Sequence, residues 1–353
     1  MKIAYHQPSL DTIYAQRTIF HGYEFAFRDL GHKFVPFTAG DKLAVFLDKE
    51  APDIFISSSH FYYRKYLDYA LLEKHRKRGM TLFTKIDFWN SPIAQTRINE
   101  ARSLKNDKEA QDLIRCGLLG DVFFHVVEQG DGRMEGFEKA TGKKWHTIPL
   151  AADRRLLDSA DFAEKFRSDI AFVGTYLPAK KEFFSEYVFP LEKEYDLKLY
   201  GQDWTAFDRA LGWVQRGGQY FNLPVLRSLR KPKLALSDEA KIYKSSAISI
   251  NVHEDYQKEF GGDCNERAFK IPLCGGFEIT DNVACLSKYF IPNKEIIIAK
   301  SHDDWFEKIA YYLSRPKERE AIIAAGRERV LREHTYHKRA ARILELYGGN
   351  KKI

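Results

Sequence analysis

Strand-like and helix-like segments alternate along the first half of the chain, and this alternation restricts the fold more than any other feature. Six apolar runs predict strands: KIAYH, KFVPF, DIFISSS, TLFTKIDF, DVFFHVVEQ and WHTIPLA. Segments with helical spacing lie between them, among them TIFHGYEFAFRDLGH and YLDYALLEKHRKRG. Strands that alternate with helices form parallel, doubly wound sheets. The sequence therefore predicts an α/β fold.

A polar segment divides the chain into two predicted domains. With 353 residues the chain is too long for one ordinary core. ADRRLLDSADFAEKFRS is rich in charge, and a second alternation of strands and helices follows it. We therefore predict domains at 1–152 and 169–334, both Rossmann-like. The second should contain a helix over 180–195, a loop-rich insertion ending near Lys233, and strands in DIAFVGTY, LKLYGQDW, AISINVH, GFEITD and EIIIAK.

The net charge and the cysteine content indicate which classes of partner and which compartment to expect. The net charge of +7 favours phosphates, nucleotides, nucleic acid or an anionic membrane face, so peripheral contact with anionic surfaces is compatible with it. The basic runs that start at Lys74 and Arg227 are interpreted as solvated surface. No apolar stretch approaches the roughly 18 residues of a spanning helix. The four cysteines lack zinc spacing, and a reduced, cytoplasmic protein is expected.

The segment GGDCNERAFKIPLCGGF at 261–277 concentrates polar residues after a predicted strand. A helix that begins near Asp263 would place Asp263 and Glu266 at the spacing of a capping box. The same helix start would also direct free amides at a phosphate, with Arg267 as a bidentate fork and Lys270 as a second cation. Both interpretations stay open from the residues alone.

The run NERAFKIPLCGGFEITD, with SSAISINVH before it and a YYLSRPKERE…HTYHKRAARIL tail, resembles the CgeB-type spore-protein glycosyltransferases of the glycosyl transferases group 1 clan. The resemblance covers about half of the chain, from Asp169 to Leu344. It implies the GT-B fold, in which two Rossmann-like domains face a central cleft. The first domain would serve the acceptor and the second the nucleotide-sugar, with a C-terminal helix at 335–353 packed back on the first domain.

The resemblance also implies a donor site at the ends of the second-domain strands. Two glutamates of the clan are replaced here by Gly262 and Lys270, so Lys270 is expected to meet a phosphate and Asp263 or Glu266 a sugar hydroxyl. Asn251 either faces the donor or ends its strand. The donor-binding candidates are Gly174, Thr175, Lys180, Lys181, Tyr200, Gly201, Asn251, Asp263, Cys264, Asn265, Arg267 and Lys270.

Candidate catalytic residues follow strands of the first domain. His60 and Asp87 lie at strand ends, and His6 lies similarly after the first strand. A histidine there could act as general base or orient a sugar hydroxyl. Glu266 is the catalytic candidate of the second domain. The chain contains no Asp-x-Asp, so we expect no metal and no cofactor, with Arg267 and the lysines neutralising the diphosphate. The resemblance suggests retention of configuration.

The predicted function is transfer of a sugar from a nucleoside-diphosphate sugar to an acceptor hydroxyl on a protein, glycolipid, metabolite or nucleic acid. Two alternatives remain in the same fold: a protein that binds the nucleotide-sugar without turnover, and a transferase or binder acting on nucleic acid. A third, a nicotinamide oxidoreductase, depends on the glycine loop GDGRMEG at Gly130, a weak pattern that is more often a turn.

Overall fold

The computed structural model describes residues 1–10, 15–92, 103–231 and 233–350. Contacts between α-carbons divide the chain into two compact units. The first contains Met1–Pro149, Gln219–Asn222 and the chain from His337 onward, and the second contains Leu150–Gly218 and Leu223–Tyr336. The last three residues of the predicted helix 335–353 lie outside the described residues.

The first unit is built on a six-stranded sheet in the order β2-β1-β3-β4-β5-β6, with every neighbouring pair parallel. Ile3 of the central β1 pairs with Phe34 on one side and Ile54 on the other. The strands are β1 (Lys2–His6), β2 (Lys33–Phe37), β3 (Ile54–Ser58), β4 (Thr81–Lys85), β5 (Val122–His125) and β6 (Trp145–Thr147).

Helices connect these strands, as parallel pairing requires. The C-terminal helix also contacts this unit, where Arg339 Nε donates to the Pro149 carbonyl at 2.9 Å. The helices are α1 (Ala15–Asp29), α2 (Leu43–Glu50), α3 (Phe61–Arg64), α4 (Tyr69–Arg76), α5 (Lys108–Arg115) and α6 (Phe137–Thr141), with 3₁₀ turns at Leu104–Asn106 and Gly132–Met134.

The second unit contains a five-stranded parallel sheet in the order β11-β10-β9-β7-β8. Alternate residues of β7 enter different apolar clusters, Ile170 and Phe172 one and Ala171 and Val173 the other, so both faces of the sheet are covered. The strands are β7 (Ser168–Val173), β8 (Leu197–Tyr200), β9 (Ser246–Asn251), β10 (Glu278–Asp281) and β11 (Ile297–Ala299).

The chain between Leu150 and its C-terminal region forms ten helices among the described residues. They are α7 (Lys181–Phe183), α8 (Ala206–Tyr220), α9 (Pro224–Ser228), α10 (Leu236–Ser245), α11 (Asp255–Phe260), α12 (Arg267–Leu273), α13 (Leu286–Tyr289), α14 (His302–Leu313), α15 (Pro316–Glu333) and α16 (Tyr336–Asn350). Short 3₁₀ turns at Arg154–Ser159, Glu164–Phe166 and Pro178–Lys180 accompany them. No helix of the described residues is long and apolar enough to cross a membrane.

Three expectations for this unit needed correction. The loop-rich insertion contains the 15-residue helix α8, in which Gly212, Gly217 and Gly218 lower the helix propensity. The helix predicted over 180–195 is present as a helical run over 178–193, but it changes between 3₁₀, α and π geometry, and Pro190 removes a backbone donor near its end. The helix predicted to begin near Asp263 begins at Arg267, and α11 precedes it.

Candidate functional site

Arg267 lies at the carboxyl ends of β7 and β9, held by neutral oxygens. Its Nε donates to Asn251 Oδ1 at 3.0 Å, and its Nη2 donates to the Val252 carbonyl at 2.9 Å. The guanidinium carbon lies 5.1 Å from the centre of the Phe172 ring. Ligands of open α/β sheets bind at this edge, so Arg267 is in the position where a charge can contact one.

Two glycines leave room for Arg267. A Cβ atom on Gly174, directly after β7, would lie 2.9 Å from Nη1 of Arg267. Gly201 follows β8 with a φ of +121°, and a Cβ there would lie 2.2 Å from the Gly174 carbonyl oxygen. The Gly174 N–H in turn donates to the Tyr200 carbonyl at 2.9 Å. A side chain at either glycine would therefore displace the turn on which the guanidinium rests.

Lys180 supplies a second cation at the same place. Its side chain is buried, and Nζ donates to the Val252 carbonyl at 2.8 Å, the same oxygen that Arg267 contacts. Burial, and then the charge of Arg267, lower the pKa of Lys180 to about 7. Lys181, in contrast, is exposed. In the described part of the chain neither Lys180 nor Arg267 forms an ion pair with a carboxylate, and the charges of Glu254 and Asp281 offset only part of the lowering of the Lys180 pKa.

Asn251 links this cluster to a buried acid that the sequence analysis missed. Its Nδ2 donates to Glu278 Oε1 at 2.8 Å while its Oδ1 accepts from Arg267, so Asn251 both ends β9 and faces the cluster. Burial raises the pKa of Glu278 to about 8. The other carboxylate oxygen of Glu278 has no hydrogen-bond partner among the described residues.

A histidine–aspartate pair at the same edge was also missed. His253 Nδ1 lies 2.6 Å from Asp281 Oδ1, and both side chains are buried. Burial raises the pKa of Asp281, but the charge and hydrogen bonds of His253 outweigh burial and leave that pKa below its usual value. Both residues end predicted strands, AISINVH and GFEITD, so the carboxyl-end rule that selected Asn251 would also have found them.

The start of α12 does not form the predicted capping box. Glu266 is the N-cap and makes no capping hydrogen bond with its side chain, and Asp263 instead accepts from Gln257 at 3.0 Å. Asn265 stabilises the turn, because its Oδ1 accepts from the Arg267 N–H at 3.1 Å. The helix has only seven residues. The sequence analysis expected free helix amides and Arg267 to bind a phosphate together. Because the helix is short, we assign this role to Arg267 alone.

Three side chains of the predicted site are directed elsewhere. Glu266 accepts from the Tyr336 hydroxyl, and Lys270 lies 3.4 Å from the buried Glu266 and 3.5 Å from the half-buried Glu239. The Cys264 side chain is packed in the apolar core. The structure therefore does not bring these three to the Arg267–Lys180 cluster, because internal partners already satisfy them.

The remaining donor candidates lie beside the β7 and β8 ends. Thr175 is half-buried in the turn after Gly174, and its carbonyl accepts from the Leu177 N–H at 3.0 Å. Tyr200 is half-buried, with its ring 6.0 Å from that of Phe166. Both residues are thus neighbours of the cluster along the edge of the sheet.

In the first unit, His60 and Asp87 line one pocket of about 180 Å³ at the carboxyl edge of the sheet. His60 Nδ1 accepts from the Tyr62 N–H at 3.2 Å, so the proton of the neutral ring lies on Nε2. Burial lowers the pKa of His60, and the carboxylate of Asp87 offsets only part of that effect. Burial raises the pKa of Asp87. The pocket therefore contains a neutral hydrogen-bond donor, His60, and a carboxylate, Asp87, that is more basic than an exposed aspartate.

His6 lines the same pocket but is fixed in the core. It contacts Ser57 Oγ at 2.9 Å, and its ring packs 4.9 Å from that of Phe37. Burial lowers the pKa of His6 to about 3. The imidazole therefore stays neutral, and we interpret His6 as a side chain of the core.

The glycine loop at Gly130 forms a turn around its own ion pair. Arg133 donates to Asp131 at 2.6 Å, and both side chains are fully buried. The loop leads into a five-residue helix, α6. This geometry lacks the long helix of a dinucleotide loop and favours the turn.

Comparisons with known proteins agree with the fold. Residues 180–345 match the family model described as Glycosyl transferase-like. Spore protein CgeB of Bacillus subtilis (strain 168) is 21% identical over 208 residues, which cover 57% of this chain and 60% of that protein. The chain thus matches about three-fifths of the length of this curated relative.

Solved structures match almost the whole chain. Sucrose-phosphate synthase from Thermosynechococcus elongatus has a TM-score of 0.62 at 13% identity, covering 99% of this chain and 98% of that one. An alpha-glucosyltransferase in complex with UDP has a TM-score of 0.65 at 10% identity, covering 98% and 99%. At such identities these structures show the fold, which is GT-B as predicted.

The family match adds to the fold. Residues 180–345 are similar to a glycosyl transferase-like domain, as the sequence analysis predicted. The chain also resembles the CgeB-like branch of the group 1 glycosyltransferases.

Proposed function

We propose that the chain transfers a sugar from a nucleoside-diphosphate sugar to an acceptor hydroxyl, and that Arg267 and Lys180 hold the donor diphosphate. One observation carries the proposal. Two cations meet at the Val252 carbonyl, at the carboxyl ends of β7 and β9, and within the described residues neither has an acidic partner. Burying cations together is unfavourable unless a counter-charge arrives.

A diphosphate supplies that counter-charge. The planar fork of Arg267 matches two phosphate oxygens, and an anion near Lys180 would favour its protonated form. The neutralised charge would stabilise the departing diphosphate. In this proposal the protein's own cations do the work of a divalent ion, so the reaction needs neither a metal nor another cofactor.

Uridine is the first base to test. The structural neighbours include an alpha-glucosyltransferase in complex with UDP-glucose and in complex with UDP. Tyr200, Gly201 and Thr175 lie beside the cluster and are the residues we propose to border the nucleoside. Asn251 would orient Arg267 rather than contact the sugar, because its amide is shared between Arg267 and Glu278.

The pocket of the first unit is the proposed acceptor side. Asp87, whose pKa is raised, would accept the proton of the attacking hydroxyl, and His60 Nε2–H would orient a substrate oxygen. The contacts of Glu266 make it a positioning residue for α12 instead of a catalytic group. Retention of the anomeric configuration, which the resemblance implies, completes the proposal, and the anomeric coupling constant of the product tests it.

Incubation with UDP-, GDP- and dTDP-sugars tests the proposal. We expect diphosphate release with one donor, and stabilisation of the fold by the matching diphosphate of about 2.7 kcal/mol at 100 times its Kd. Arg267→Ala should lose both signals, whereas Lys181→Ala, the matched surface control, should keep them. Neither release nor stabilisation with any donor would overturn the proposal.

Binding without turnover is the second candidate. The favouring observation is that Glu266 is occupied by Tyr336 and Lys270, while Lys270 replaces a clan glutamate. Such a protein would be stabilised by UDP but would release no diphosphate, whichever acceptor is added. Oligonucleotides belong among the acceptors, because one structural neighbour is an alpha-glucosyltransferase in complex with UDP-glucose and DNA.

A further inference from the structure

Helix α8 presents its apolar side to solvent and its polar side to the protein. Phe207 and Trp213 are 74% and 72% exposed, and Val214 is exposed beside them. The buried residues of the helix are Asp208, Gly212, Gln215 and Gly218. A surface helix of a globular protein normally has the opposite orientation. The outward apolar side therefore needs a reason other than core packing.

Ion pairs fix the helix in this orientation. Arg230, which is buried, donates to Asp208 Oδ2 at 2.9 Å and also to Asp203. Breaking such a buried pair is strongly unfavourable. The polar side of α8 is thus anchored inward, and exposure of Phe207 and Trp213 is a fixed feature of this segment.

Exposed apolar residues continue after the helix. Val225 is 74% exposed at the start of α9, and Leu223 and Leu229 are exposed on either side of it. Single exposed apolar residues are common, but between Phe207 and Leu229 eight are exposed, six of them in the second unit, and such a group marks an interaction surface. We call Phe207, Trp213, Val214, Leu223, Val225 and Leu229 the apolar patch.

The apolar patch lies in a basic segment of the chain. Residues 206–233 contain six basic residues and one acidic residue, a net charge of +5. Arg209, Lys231 and Lys233 are exposed, and the Arg216 guanidinium carbon lies 5.4 Å from the centre of the Trp213 ring. The run that starts at Arg227, interpreted from sequence as solvated surface, thus adjoins exposed hydrophobic side chains.

We propose that this patch docks the protein on an anionic lipid bilayer. Trp213, Phe207 and the aliphatic residues would enter the boundary between headgroups and acyl chains, while the basic residues would contact lipid phosphates. Charge complementarity selects this occupant, because a second copy would bring +5 against +5. Nucleic acid would use the cations and rings but would gain little from exposed valine and leucine. The proposal is independent of the donor site.

Sedimentation of the full chain with vesicles tests the proposal. We expect binding to vesicles of phosphatidylglycerol and phosphatidylcholine at least tenfold tighter than to phosphatidylcholine alone, and weaker at high salt. The double variant Phe207→Ser/Trp213→Ser should lose at least tenfold of this affinity. Phe162→Ser, at a position of the same unit that is 58% exposed, is the matched control and should bind like the unaltered chain.

Thermal melting and stabilisation by UDP should be the same in all three proteins, which shows that the variants fold. The proposal is overturned if the unaltered chain ignores anionic vesicles, or if the double variant binds them as well as the control does. It is also overturned if the double substitution abolishes oligonucleotide binding or self-association while vesicle binding persists.

Discussion

Two cations on one short helix differ in what surrounds them. Lys270 lies between the carboxylates of Glu239 and Glu266. Arg267, one turn earlier on α12, packs over Phe172, and its side chain donates to the amide oxygen of Asn251 and to the Val252 carbonyl, which it shares with Lys180. A structural cation comes with its own counter-charge. A cation held by neutral oxygens at a ligand-binding edge is prepared for an anion from outside.

The pKa shifts of the two lysines have opposite signs. Burial alone lowers the pKa of Lys270, but Glu239 and Glu266 outweigh burial and leave that pKa above its usual value. At Lys180 burial and Arg267 act in the same direction and lower the pKa to about 7. This difference supports our proposal that Lys270 serves stability and Lys180 serves binding.

Lys270→Met should have the largest effect, and it should act on stability. Removing the lysine takes the cation from the buried Glu266 and the half-buried Glu239, and breaking a buried ion pair costs about 3–5 kcal/mol. Urea unfolding measures the loss, and the affinity for the donor diphosphate should change by less than about threefold at temperatures where the variant is folded. Lys317→Met, at an exposed lysine of α15, should cost less than about 0.5 kcal/mol. If Lys270→Met and Lys317→Met lost the same unfolding free energy, Lys270 would be no more important for stability than an exposed lysine.

Arg267→Ala should act mainly on binding. Two charge-assisted hydrogen bonds to the diphosphate, at about 1.5–3 kcal/mol each, correspond to at least about a 100-fold loss of UDP affinity. Isothermal titration calorimetry measures it. Arg267→Lys keeps the charge without the fork and should recover part of the affinity. An Ala variant that binds UDP within threefold of the unaltered chain would contradict the assignment.

Lys180 should make UDP binding depend on pH. Below pH 7 the lysine is already protonated, and above it binding has to recruit a proton because the diphosphate raises the pKa of Lys180. Affinity should therefore fall by up to about tenfold per pH unit above pH 7. Titrations near pH 8 in buffers of different ionisation enthalpy should show proton uptake, which Lys180→Met should abolish. Uptake that persists in Lys180→Met would have another source.

Lys181→Ala should have the smallest effect. Lys181 follows Lys180 directly, yet its side chain is exposed while that of Lys180 is buried. We expect UDP affinity and unfolding free energy to stay within about twofold and about 0.5 kcal/mol. A loss as large as that of Lys180→Met would show that both lysines contact the donor and that burial does not separate them.

The sequence was informative about the sheet and less so about side-chain direction. All eleven strands follow from short apolar runs, because parallel strands are buried on both faces. The carboxyl-end rule selected Gly174, Asn251 and the Arg267 segment. It could not show that Lys180 rather than Lys181 turns inward, since neighbouring residues in irregular turns have no fixed spacing.

Long-range partners explain what the sequence analysis missed. Glu266 meets Tyr336, which lies 70 positions along the chain, so this contact was not visible beside the capping and catalytic interpretations. Glu278 is buried in β10 and contacts Asn251 of the neighbouring strand. Helix α8 was missed for a local reason, because its three glycines lower the helix propensity.

A crystal structure with UDP bound is the most direct measurement of the central claim. The account expects diphosphate oxygens within hydrogen-bond distance of the Arg267 guanidinium and Lys180 Nζ, with Lys270 still between Glu239 and Glu266. A diphosphate bound elsewhere, with Arg267 and Lys180 still contacting only Asn251 and Val252, would contradict it.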